Sequence, residues 1–242
     1  MSTLDLSTPG PGSLPAAGHI LDDAIRASLA GAHARFAQRH GLAVRYHPEV
    51  AGFTALDDPH DPAAWADVEA LLGPDEDLAL PGVTRWPERW RPRWSAEGVQ
   101  MVATDAVARP DAEAVVLGPD DVPEMLDLIA RTEPGPFRAR TVELGTYLGI
   151  RRDGALVAMA GERLRPPGWT EISAVCTAPE HRGQGLAGRL VRAVAAGITA
   201  RGDRPFLHAL ASNENAVRLY RSLGFEVRRT TLFTVLTRAA QD

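Results

Sequence analysis

Residues 170 to 187 constrain this chain most. The apolar run Thr170-Glu-Ile-Ser-Ala-Val-Cys-Thr177 reads as a strand, and Arg182-Gly-Gln-Gly-Leu-Ala187 reads as a tight turn opening a helix. Gly183 and Gly185 let the backbone turn sharply and approach a ligand closely. The first N–H groups of the following helix have no partner within it and carry the positive end of its dipole. Such a turn is a cradle for an anion such as a phosphate, although the same sequence could also be a plain strand-to-helix connection.

A second motif follows about thirty residues on. Asn213-Glu-Asn-Ala-Val-Arg-Leu-Tyr220-Arg-Ser-Leu-Gly-Phe225 predicts a short helix capped by Asn213 and stopped at Gly224. Together the two motifs resemble the GNAT superfamily of acyl-CoA-dependent N-acetyltransferases, over roughly residues 111 to 238. The resemblance implies that Arg182, Gly183, Gln184, Gly185, Leu186 and Ala187 hold the diphosphate of coenzyme A. It also implies that Val175, Cys176 and Thr177 offer free backbone groups to the pantetheine arm, and that Asn213 and Tyr220 lie along that arm.

The order of elements suits that family. A strand at Ala114–Leu117 precedes a helix from Pro119 to about Ala130, with Val122, Met125, Leu126 and Ile129 as its apolar face. Thr146–Arg152 and Ala155–Leu164 flank Asp153-Gly154, a pair suited to a type I′ hairpin, and Pro166-Pro167-Gly168 turns the chain into Trp169–Thr177. Leu186, Leu190, Val194 and Ile198 form a core-facing stripe on a helix from Gln184 to about Ala200. Pro205–Leu210 and Phe225–Leu236 are the last strands. The expected class is α/β (α+β), a mixed and mostly antiparallel sheet flanked by helices and preceded by a smaller αβ domain.

The expected division is a disordered tail over 1–18, an N-terminal αβ domain over 19–110 and an acetyltransferase domain over 111–242. Within the N-terminal part, His19–His40 reads as an amphipathic helix, Leu42–His47 as a strand, Asp61–Leu72 as a capped helix and Leu78–Leu80 as a short strand. Trp86–Trp94 reads as an irregular stretch whose aromatic residues shape a pocket or pack one part on the other. The region resembles a degenerate half of the GNAT fold, but it has neither cradle nor Asn-to-Tyr helix, so no catalytic site is expected there.

Composition narrows the chemistry. The 242 residues are 45% hydrophobic and 24% charged, an ordinary globular mixture. No apolar run approaches the roughly 20 residues of a membrane span, and the opening segment lacks the basic start and apolar core of a signal peptide, so the expected location is cytoplasmic. A single Cys and scattered His leave no metal-binding spacing. All 26 basic residues are Arg, which excludes a Schiff-base or P-loop Lys. The net charge of −5 speaks against nucleic acid as a partner. Arg182, Arg189 and Arg192 near the cradle suit an anionic ligand, with the solvated face of a helix as the other reading of the last two. The expected co-substrate is acetyl-CoA without a metal, and the expected partner is a small-molecule or peptide amine; a homodimer is open.

Attack of an amine on a thioester needs a base, donors for the developing oxyanion and an acid for the leaving thiolate. Glu171 is the first candidate base: it lies eleven residues before Arg182, the interval between glutamate base and cradle in the histone-acetylating branch of the family. Glu162 is its rival. With a plain turn at 166–168, Glu162 pairs with Ile172 and Arg163 with Glu171, so the two glutamates face opposite sides of the sheet and Glu171 could instead pair with Arg163. Tyr220 is the candidate acid, the alternative being a buried phenol bonded to backbone. A backbone N–H near Val175 or Cys176 is the candidate oxyanion donor; Cys176 itself reads as a small buried residue and His208 as a satisfied core histidine. The readings kept open are a bulkier acyl donor and a non-catalytic acyl-CoA sensor.

Overall fold

A computed structural model describes residues 18–105 and 107–239. Apart from Gly18, the expected tail lies outside these. After a 3-10 turn at Ile20–Asp23, α1 spans Ala24–Ala30, its N-terminus capped by Asp23. The helix expected to continue to His40 stops at Gly31, and Ala37–His40 is instead strand β1, paired antiparallel with β2 (Ala43–Tyr46), which pairs with β3 (Thr54–Leu56). The reason is tertiary. His33 turns into the interior, where its ring bonds the Tyr46 hydroxyl (2.9 Å) and the Leu144 carbonyl (3.0 Å), and a continued helix could not deliver it there.

Helix α2 (Pro62–Leu71) begins as expected, with Asp61 accepting from the Ala63 N–H and Pro62 in the first turn. Strand β4 (Leu78–Ala79) and the long β5 (Trp90–Ala103) follow. Trp90–Trp94, expected to be irregular, thus lies in a regular strand. Burial of Trp90 against Trp65 and the long pairing with the last strand override the Pro92 signal, which is absorbed at a register shift.

Then come β6 (Val115–Leu117), α3 (Val122–Thr132), β7 (Tyr147–Arg152), β8 (Ala155–Glu162), β9 (Trp169–Thr177), α4 (Leu186–Ala200), β10 (Arg204–Leu210), α5 (Glu214–Leu223) and β11 (Phe225–Arg238). Positive φ at Asp153 (50°) and Gly154 (85°) makes the β7–β8 connection the expected hairpin. On α3 the buried residues are Met125 and Leu128, whereas Leu126, expected on the core face, is exposed. The α4 stripe is fully buried.

Eight strands form one sheet in the order β4-β11-β5-β10-β9-β8-β7-β6, antiparallel except for the parallel pair β9 and β10. The sheet is continuous across residue 110, since β5 lies between β10 and β11. One sheet face packs on α3 and α4. Against the other, Leu21, Ile25, Leu29 and Tyr46 of the N-terminal elements pack on Leu164, Trp169 and Phe206.

Candidate active site

The turn before α4 has the form that an anion cradle requires. Gly183 and Gly185 are left-handed (φ 80° and 74°), and a Cβ at either would meet only open space. The amides of Gly183 through Gly188 make no backbone hydrogen bond among the described residues, because the first bond into the helix is Arg189 N–H to the Gly185 carbonyl. Arg182 is exposed beside them and only loosely tied, at 3.4 Å, to the Thr177 carbonyl. Arg189 does not serve the cradle: its guanidinium is held by Asp111 (2.6 and 2.7 Å) and Glu113 (2.6 Å), which fastens α4 to the segment before β6.

Strands β9 and β10 separate beside this cradle. Their parallel pairing runs from Trp169 with Arg204 to Ile172 with Leu207 and then ends. On its other edge β9 stays paired with β8, through a register shift opposite Met159 and Gly161 that places Ala174 at φ 53°. The Ala178 N–H donates to the Val157 carbonyl on β8. Alternation along an extended strand then turns the backbone of Cys176 toward β8 and the N–H groups of Val175 and Thr177 toward the gap. Of the two expected oxyanion donors, only Val175 faces the opening. The Thr177 hydroxyl is buried without a hydrogen-bond partner among the described residues.

Helix α5 packs on β11 and α4 and brings Tyr220 beside Cys176 of β9. The Asn213 side chain caps it by accepting from the Ala216 N–H at 3.1 Å. Tyr220 is buried, and its hydroxyl has no hydrogen-bond partner among the described residues, so the backbone-bonded alternative is not what is found. Burial, with the neighbouring Cys176 adding to it, pushes the phenol up to about 12. Burial likewise raises the Cys176 thiol to about 11, which leaves it a poor nucleophile at neutral pH.

Glu162 lies opposite Ile172 as expected, but not through a plain three-residue turn: Trp169 N–H donates to the Pro166 carbonyl, Glu171 N–H to the Leu164 carbonyl and Arg163 N–H to the Glu171 carbonyl, so Arg163 and Leu164 share Glu171 as their partner. The two glutamates therefore face opposite sides. Glu162 accepts a hydrogen bond from Arg201 just beyond α4 (2.8 Å). Glu171 is fully buried and receives both arms of Arg163, Nε at 2.8 Å and Nη2 at 2.6 Å. Its Oε1 also lies 2.6 Å from His208 Nδ1. Burial works to raise this carboxyl, yet the Arg163 charge and the hydrogen bonds outweigh it and hold the group far below the usual carboxylate range. Protonating Glu171 would leave Arg163 buried and unpaired, so the expected base is an ion-pair partner first.

His208, expected to be a satisfied core residue, has a partner on each ring nitrogen and also reaches a cavity. The cavity, about 240 Å³, lies between the N-terminal elements and the sheet, with Leu21, Ile25, Phe53, Leu80 and Phe233 among its apolar walls. Gln100, Arg163 and His208 give it a polar end, and Asp22, Asp57 and Arg229 stand among its other lining groups. These walls were invisible to sequence reasoning because residues from 21 to 233 converge on them with no local pattern.

Residues 147–234 match the family described as FR47-like protein. The solved structure of a GNAT-family protein from Novosphingobium aromaticivorans is 41% identical and superposes with a TM-score of 0.84, the match covering 92% of this chain and 100% of that one. The chain belongs to the GNAT family of N-acetyltransferases. Two curated mycobacterial proteins are similar to this GNAT chain over shorter stretches. N-alpha-acetyltransferase RimI of Mycobacterium tuberculosis is 35% identical over 106 residues, 41% of this chain and 66% of that protein. An uncharacterised protein of Mycobacterium leprae is 33% identical over 156 residues, 56% of this chain and 43% of that one. The chain thus spans less than half of the latter and about two thirds of RimI. Among the described residues of this GNAT chain, no helix is long and apolar enough to cross a membrane and no group of metal-ligating side chains converges.

Proposed function

We propose that this chain transfers an acetyl group from acetyl-CoA to a primary amine with an apolar body, by direct attack while both are bound. One observation carries this reading. Strands β9 and β10 part ahead of an open backbone cradle, and His208, the first residue of β10 beyond the last pair, also lines a cavity with apolar walls and a polar end. The cradle suits a diphosphate and the cavity suits the carbon skeleton of a small acceptor. The N-terminal elements act in this reading as the outer wall of the acceptor site, and the reaction takes place in the cytoplasm.

The residues present fit coenzyme A. Free amides from Gly183 to Ala187, with Arg182 beside them, hold a diphosphate; the gap-facing N–H groups of Val175 and Thr177 and the unpartnered Thr177 hydroxyl hold an amide-bearing arm. Bound there, acetyl-CoA supplies a thioester carbon open to attack and a thiolate that can leave. The Val175 N–H steadies negative charge on the carbonyl oxygen. Tyr220 keeps its proton at neutral pH and has no competing acceptor among the described residues, so it is suited to donate to sulfur. Asn213 presents α5 to the arm while capping it.

Release of free thiol from acetyl-CoA in the presence of a panel of small primary amines, with mass analysis of the products, tests the reading. Acetylated amine formed only with the protein present is the expected result. Tight binding of acetyl-CoA with no product from any amine or peptide N-terminus would replace it by an acyl-CoA-binding role.

A further inference from the structure

Resting on that reading, we propose that His208 removes the proton from the attacking amine and that Glu171 acts through it as a positioning residue. His208 is the first residue of β10 beyond the last pair with β9, so it stands where the gap opens, and its ring lines the cavity. An amine held in the cavity and a thioester held in the gap must meet beside this residue. Glu171, only one pair back along β9, is enclosed and has no surface to offer.

The surrounding bonds determine which nitrogen of His208 is free of a proton. Gln100 accepts from Arg228 Nε through its carbonyl oxygen, so its amide nitrogen faces the Leu21 carbonyl (2.9 Å) and His208 Nε2 (3.0 Å). An amide nitrogen only donates, which makes Nε2 the acceptor and places the ring proton on Nδ1, 2.6 Å from Glu171. The lone pair suited to receive a proton therefore points to the cavity side, and the carboxylate behind the ring stabilises the imidazolium that forms. An incoming N–H takes the place now held by Gln100.

The step balances. An ammonium entering the apolar cavity first gives one proton to solvent, since burial disfavours its charged form. The amine lone pair then forms the N–C bond while the C–S bond breaks and its electron pair leaves with sulfur. The proton lost from nitrogen goes to His208 Nε2, and sulfur receives one from the Tyr220 hydroxyl. Exchange with solvent restores both side chains.

Charged and titratable groups around His208 are Glu171 on β9, Arg163 just after β8, Arg228 and Arg229 on β11, Asp22 in the turn before α1, and Tyr46 of β2 behind Glu171. The test uses the full chain, acetyl-CoA and 2-phenylethylamine, with free coenzyme A titrated calorimetrically as a control for binding. H208Q should lower kcat at least 100-fold, leave coenzyme A affinity within threefold, and remove the acid limb of the pH–rate profile. H208A should regain turnover when imidazole is added, a response that a merely structural histidine would not give. E171Q should shift the acid limb and lower kcat while KM stays within threefold. If the parent protein acetylates the amine and H208Q retains a third or more of its kcat, His208 is not the base and the function stands. If the parent binds coenzyme A yet never acetylates this or any other amine tried, the function falls and the inference with it.

Discussion

Arg163, just past the end of β8, and Glu171 of β9 meet side-on, two hydrogen bonds in parallel, with the carboxylate wholly buried and the guanidinium 5.0 Å from the centre of the Phe53 ring. The pair joins the eight-stranded sheet to the N-terminal elements, because Phe53 belongs to the loop before β3. It is also an obligatory pair, since either charge alone would be buried without compensation.

R163M should therefore destabilise the fold by about 3–5 kcal/mol in urea unfolding. The double variant R163M/E171Q should be less damaged than the sum of the singles, with a coupling above about 1 kcal/mol. Additive effects would show that the pair is not energetically linked.

His33 makes stability depend on pH. Burial, with Arg165 and Arg35 adding to it, lowers this imidazole from 6.5 to about 4 although the Leu144 carbonyl opposes the shift. The unfolded chain thus binds the proton first. Stability that is complete above about pH 6.5 should fall as the pH drops toward 4, by an amount on the order of 3 kcal/mol. H33Q should be less stable at pH 7 but show a flatter profile between pH 6.5 and 4.5 in thermal melts.

At the cradle, binding and stability should separate. R182A removes an exposed side chain with one weak internal bond, so its melting temperature should stay within about 2 °C of the parent while coenzyme A affinity falls about tenfold, or 1.4 kcal/mol. G185E adds a negative charge on a backbone at φ 74° and should abolish the thermal shift with acetyl-CoA.

Tyr220 offers a cleaner substitution than most buried tyrosines, because removing its hydroxyl breaks no hydrogen bond among the described residues. Y220F should fold with unchanged stability and lose at least tenfold in kcat, with KM for acetyl-CoA within twofold. An unchanged kcat would remove the phenol from the chemistry.

What could be read from sequence was local or lay between neighbours in the chain. Asp153-Gly154 forms its hairpin from two backbone preferences, and the α4 stripe follows from spacing alone. The opposite facing of Glu162 and Glu171 holds by another route than the expected three-residue turn: the chain turns between Pro166 and Trp169, and the extra residue where Arg163 and Leu164 share Glu171 restores Glu162 opposite Ile172. What escaped depends on distant partners. His33 contacts Leu144 across 111 positions and thereby ends a helix whose own pattern invites continuation. His208 owes its orientation to Gln100, 108 positions earlier, so neither its tautomer nor its cavity wall has a sequence signal.

The strand Trp90–Ala103 lies between β10 and β11, outside the segment 147–234 that the family pattern covers. The family segment of this chain is therefore not a transplantable module. Cut out by itself, it would carry two strand edges stripped of the neighbour that separates them, exposing backbone donors and acceptors to any passing chain. Grafts, chimaeras and split versions of this chain have to carry residues 90 to 103 along with the segment 147–234.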